Sequence, residues 1–177
     1  MCLYLHNYLE NPEIISTEKF KQECKDKIKS LFIQQWGTEI LNQNEGCKLR
    51  FYKKFKTAFI REPYFEHINN FQMRKIITKF RCSDHRLEIE LGRHKNIQVE
   101  DRICKLCRGS IETEIHFLTE CPLYNSLRLK YLGNNSNLGW IDDIKCVDKE
   151  KAFNFANFLT KAFDLRNRML VLHEYFN

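Results

Sequence analysis

The sequence predicts a mainly α-helical fold. Three observations predict it. Turn residues are scarce, with 3 Pro and 6 Gly in 177 residues, too few for a fold of many short strands. Apolar residues recur at three- and four-residue spacing through several stretches. Hydrophobic residues make up 43% of the chain and include 14 Phe, enough to fill a core. No apolar run approaches the ~20 residues that span a bilayer. The opening MCLYLHNYLE has no basic leader and no small-residue cleavage site. The expectation is an intracellular chain, nuclear or cytoplasmic, with no membrane partner. It should form one compact domain, or one domain with a helical appendage.

The elements follow in order. Residues 1–44 form an N-terminal helical segment. Its helix covers 17–44, capped by Ser16 or Thr17, with Phe20, Cys24, Ile28, Leu31 and Ile40 at helical spacing and a possible interruption at Gly37. Residues 45–95 form a basic helical segment. Its first helix, over 48–61, places Phe51, Phe55, Ala58 and Phe59 on one face and ends near Glu62-Pro63. A second helix or broken pair covers 70–92, with a break at Ser83-Asp84 and a stop at Gly92. Residues 96–132 hold a loop around two cysteines, then a helix over 113–132 restarted at Pro122. Residues 133–177 hold the linker GNNSNLG and a last helix over 149–172.

Charge is unevenly spread. The chain has a formal net charge of +6, yet residues 45–95 alone carry 13 basic and 6 acidic residues. Within them, KLRFYKKFKTAFIR at 48–61 has six basic residues and no acid. Such a patch is either the solvated back of a core helix or a phosphate-binding face. The second reading assigns Lys48, Arg50, Lys53, Lys54 and Lys56 to phosphate contacts. Phe51, Tyr52 or Phe55 would then be available to stack on bases, although an apolar helix face is more often core.

Eight cysteines without a secretory leader point to metal ligation, not to a disulfide framework. Cys104-x2-Cys107-x8-His116-x4-Cys121 offers three thiolates and an imidazole, a zinc-type donor set. Cysteines three apart sit on one tight turn, and Gly109 gives the backbone freedom to bend back. His116 and Cys121 would diverge by roughly 140° on a continuous helix. The helix should therefore end near Cys121, and Pro122 follows it. Three thiolates and a neutral imidazole around Zn²⁺ leave a charge of −1, which Arg102, Lys105 and Arg108 are placed to soften. Four protein ligands leave no open position, so one structural Zn²⁺ is expected. The fold class is then a helical domain with a small inserted CCHC zinc knuckle.

Two weaker patterns are set aside. Asp142-Asp143 resembles a polymerase aspartate pair, but the chain has no room for a palm. Asp148-Lys149-Glu150-Lys151 reads as a helix N-terminus, where acids are favoured. His67, His85 and His94 belong to no nucleophile–base pattern.

The stretch KFRCSDHRLEIELGRHKNIQVEDRICKLC, continued through ETEIHFLTECPLYNSLR, resembles the zinc-binding segment near the C-terminus of non-LTR retrotransposon reverse transcriptases. With Leu49-Arg50-x-Tyr52-x-x-Phe55-Lys56 upstream, the likeness covers about residues 48–132. It implies that Cys104, Cys107, His116 and Cys121 hold zinc, and that the region binds RNA or DNA. It adds Arg81, Arg86 and Arg93, with Lys79, as backbone contacts. No polymerase palm, fingers or endonuclease is present, so no enzymatic activity and no small-molecule substrate are expected. The alternative is a zinc-stapled structural domain with a protein partner, or a relic of such an element without function.

Overall fold

A computed structural model describes residues 16–41, 47–133 and 139–175. The chain divides into residues 1–42 and 43–177. The first unit is described by one helix, α1, Thr17–Leu41. Ser16 caps it, its hydroxyl oxygen accepting the Lys19 N–H at 3.3 Å. The helix runs through Gly37 without a break. Pairs one turn apart, Gln22 with Asp26 and Gln35 with Glu39, line its surface. The expected residues 42–44 lie outside the described ones.

The second unit holds six α-helices among its described residues: α2 (Tyr64–His67), α3 (Phe71–Arg81), α4 (Glu88–His94), α5 (Asn125–Tyr131), α6 (Trp140–Lys145) and α7 (Lys149–Tyr175). Short 3-10 turns cover Tyr52–Lys54, Val99–Asp101 and Pro122–Tyr124, and one π-helical turn covers His116–Glu120. No named strand occurs among the described residues; a single antiparallel bridge joins Ile103 and Ile111. No helix among them is long and apolar enough to cross a membrane. The fold is mainly α.

Helix α7 is the axis on which α2, α3, α5 and α6 pack. Asp148 caps its start by accepting the Lys151 N–H at 2.8 Å. Ala152, Phe155, Ala156, Leu159 and Ala162 form a buried stripe at helical spacing. The small residues let neighbouring helices approach, and the rings fill the space between. Phe80 of α3 lies at the centre, 5.7–6.2 Å from the rings of Phe51, Phe117, Phe155 and Phe163. Edge-on and tilted pairs of this kind add to the burial of apolar area.

The structure corrects several sequence expectations. Residues 48–61 are not one amphipathic helix. They hold only the 3-10 turn Tyr52–Lys54, and the Lys56 N–H closes on the Tyr52 carbonyl at 3.1 Å. Phe51 and Phe55 are still buried, but Phe59 is exposed. The 70–92 stretch breaks where expected, because Ser83 adopts a left-handed φ of 53° between α3 and α4. Gly92 is not a stop but lies inside α4. A Cβ there would lie 2.5 Å from the Arg102 Cγ, so the glycine admits the arginine stem. The 113–132 helix is three short elements. Gly133, at φ 74°, ends α5 by returning its N–H to the Arg128 carbonyl at 3.0 Å. Helix α6 was missed because it has only six residues; residues 134–138 of the linker lie outside the described ones.

Candidate metal centre

The four expected ligands come together. The ligand atoms of Cys104, Cys107, His116 and Cys121 all lie within 4.8 Å of one another. Cys107 Sγ and His116 Nε2 are 3.3 Å apart. A tetrahedral ion with bonds of about 2.3 Å to sulfur and 2.0–2.1 Å to nitrogen separates its ligand atoms by about 3.5–3.8 Å. The four donors are therefore close enough together to hold one metal ion.

Local backbone explains the convergence. The Cys104 N–H donates to the Ser110 carbonyl and the Glu112 N–H to the Arg102 carbonyl, both at 2.9 Å, so the chain folds back on itself around the first two cysteines. The residue that turns the corner is Arg108, at φ 54°. Gly109, expected to bend the chain, has no positive φ and instead donates its N–H to Cys107 Sγ at 3.4 Å. On the other side, the Cys121 N–H reaches back five residues to the His116 carbonyl at 2.8 Å. This π-helical closure, followed by the end of the helix at Cys121, brings the fourth ligand round to the first three.

The imidazole is oriented from behind. His116 Nδ1 lies 2.8 Å from the Ser110 hydroxyl and 3.2 Å from Glu120 Oε2. With its proton on Nδ1 the ring donates to these oxygens and leaves Nε2, 3.3 Å from Cys107 Sγ, free to ligate a metal. Cys104 and Cys121 are buried and Cys107 is half-buried. In the metal-free chain, burial pushes the Cys104 thiol up to about 12, with the Glu112 carboxylate adding to the effect. Burial also raises Cys121. Burial opposes ionisation of Cys107 too, but hydrogen bonds from the Gly109 N–H and the other two thiols hold it below the usual thiol range. Loading a metal here displaces thiol protons, so affinity rises with pH.

Two buried carboxylate clusters tie this segment to the rest of the unit. Glu112 takes a fork from Arg166 of α7, Nε to Oε1 at 2.8 Å and Nη2 to Oε2 at 2.7 Å. Its Oε2 also accepts the Glu88 N–H at 2.7 Å, and its Oε1 lies 3.8 Å from Cys104 Sγ. Glu114 Oε1 accepts from Arg50 and Ser83, each at 2.7 Å, and lies 3.1 Å from His85 Nε2. Arg50 also pairs with Glu90, which holds Arg93 at 3.0 Å. Sequence reasoning missed Ser110, Glu120 and Arg166. The last had a signal, since it continues the α7 stripe four residues past Ala162.

The expected phosphate contacts scatter. Lys48, Lys54 and Arg86 are exposed, and Lys53 is half-buried. Arg50 and Arg81 are corrected: each is only 2% exposed. Arg81 pairs with Glu62, donates to the Ile144 carbonyl at 3.1 Å and lies over the rings of Phe55 and Tyr64. An arginine so enclosed has its guanidinium committed to protein partners and offers almost no surface to a phosphate. Lys56 pairs with Glu62. Of the cations beside the cysteines, Arg102 donates to the Ile89 and Ile97 carbonyls, not toward sulfur, and Lys105 pairs with Glu88 at 3.0 Å. No protein-family model, curated protein or solved structure matches the chain.

Proposed function

We propose that the chain is a zinc-stabilised nucleic-acid-binding module without catalytic activity. The observation that carries the reading is the cluster of Cys104, Cys107, His116 and Cys121. Three thiols and an imidazole complete a tetrahedral shell, the pattern of structural zinc sites. Zinc bound there supplies folding energy by cross-linking the turn at Cys104–Cys107 to the end of the π-helical turn. Glu112 and Arg166 then pass that constraint to α7. The nucleic-acid half is supported by the excess positive charge of residues 45–95 and by exposed Lys48, Lys54 and Arg86. The resemblance of residues 48–132 to the zinc-binding segment of non-LTR reverse transcriptases supports it as well.

The test is binding of the zinc-loaded chain to a labelled single strand and a duplex across a salt series. A log–log slope near −4 or steeper corresponds to several neutralised phosphates at about 0.7–0.9 each. Absence of binding at low salt overturns the nucleic-acid reading. One observation favours a second reading, a zinc-stapled structural or protein-interaction domain. Arg50 and Arg81, from the most basic part of the chain, are buried and pair with carboxylates, Arg50 with the buried Glu114 and Arg81 with the half-buried Glu62.

A further inference from the structure

Helix α3 turns Lys75 and Lys79 to the surface, with Arg74 half-buried beside them and Arg81 buried. This helix carries Arg74, Lys75, Lys79 and Arg81 and no acid. Its inner face, Ile77 and Phe80, is fully buried. Its outer face starts with Phe71, a large ring that is 63% exposed directly after the Asn70 cap. Phe71, Arg74, Lys75, Thr78 and Lys79 follow at helical spacing, and with Phe65 they line one shallow groove. Thr78 is engaged, donating to the Arg74 carbonyl at 2.9 Å and meeting the Tyr64 hydroxyl at 2.8 Å. Lys79 pairs with Asp84 at 3.4 Å, but both side chains are about half exposed, 50% and 56%. Such a pair is weak and exchanges readily for another anion.

We infer that this outer face of α3 binds single-stranded nucleic acid, a base stacking on Phe71 and the adjoining phosphates lying on Arg74, Lys75 and Lys79. The inference rests on the nucleic-acid reading above and names its surface. An exposed aromatic ring flanked by cations provides the two interactions that an unpaired strand needs. A duplex offers phosphates but no free base face. An anionic membrane would attract the same charge, but a helix lying on a bilayer turns a broad apolar face to it. The broad apolar face of α3 is already turned into the core.

Two variants of the full zinc-loaded chain test this: Phe71→Ala and the double variant Arg74→Glu, Lys75→Glu. Phe71 and Lys75 are exposed and Arg74 is half-buried, so thermal melts are run alongside and should stay close to the unaltered chain. With a labelled oligouridine strand, Phe71→Ala should weaken binding about tenfold at an unchanged salt slope. Phe71→Trp should restore it, and duplex affinity should not move. The double reversal should weaken the strand further and lower the slope by about 1–2. If the unaltered chain binds and both variants bind equally well, the α3 surface is wrong and the general reading stands. If the unaltered chain binds no strand, both fall. Tighter retention on anionic lipid vesicles than on the strand also overturns the inference.

Discussion

The knuckle over residues 102–121 and the helical frame around α7 are held by different forces. The frame is held by packing: Phe80, Phe155 and Phe158 are fully buried among small residues, and Phe117 is the one ring that residues 102–121 send into them. The knuckle has few such rings. It is held by directional contacts: reciprocal backbone bonds, four metal-type donors, and Glu112 and Glu114 locked to Arg166 and Arg50. Apolar burial is insensitive to chelators and protons, and a shell of thiols and carboxylates is sensitive to both. The two regions should therefore separate under conditions that leave ordinary packing intact.

Chelation should separate them most. Removing the metal from the loaded chain should abolish amide exchange protection around Cys104–Cys121 while helicity in α7 is largely retained. Equal loss of protection in both regions would mean that the metal holds the frame as well. The next largest effect attacks the join. Arg166→Met leaves Glu112 buried without its fork, and breaking a buried pair in this way costs about 3–5 kcal/mol. Denaturant unfolding would measure it, and Glu112→Gln in the same background should recover part of the loss.

Gly92→Ala probes the seat of the knuckle on α4. The new methyl meets the Arg102 stem at 2.5 Å, and that arginine is fixed by the Ile89 and Ile97 carbonyls. Overpacking of this kind costs about 1–3 kcal/mol, read as a lower unfolding midpoint. Acid should also destabilise the fold. Burial works to raise the Glu114 carboxyl, but His85, Arg50 and Ser83 outweigh it and hold the group below its ordinary 4.5. Its ionised form stabilises the fold fully above about pH 4.5, and that contribution is lost as pH falls through the lower folded value. Unfolding titrations between about pH 6 and 3 should show the loss, and Glu114→Gln should flatten it. The smallest effect belongs to Tyr124. Its buried hydroxyl has no hydrogen-bond partner among the described residues, so Tyr124→Phe should be neutral or slightly stabilising in a thermal melt.

The contrast also explains what could be read from the residues. The α7 stripe and the α3–α4 break were legible because periodicity and turn chemistry act locally. The four ligands were legible because a metal imposes one geometry on its donors. The cations at 48–61 were not, because charge alone does not fix direction. Arg50 turns inward because Glu90 and Glu114, 40 and 64 residues later in the chain, are buried there and take its guanidinium between them. The π-helical closure at Cys121 was legible only as the need for the helix to stop. Helix α6 was too short to leave a period.

The zinc proposed for Cys104, Cys107, His116 and Cys121 is one ion in a closed shell. Zinc-edge X-ray absorption on the loaded chain tests it most directly. One ion per chain is expected, with three sulfur neighbours at about 2.3 Å and one nitrogen at about 2.0 Å, and one sulfur fewer in Cys107→Ser. A shell dominated by oxygen, or loss of the metal on simple buffer exchange, would contradict it.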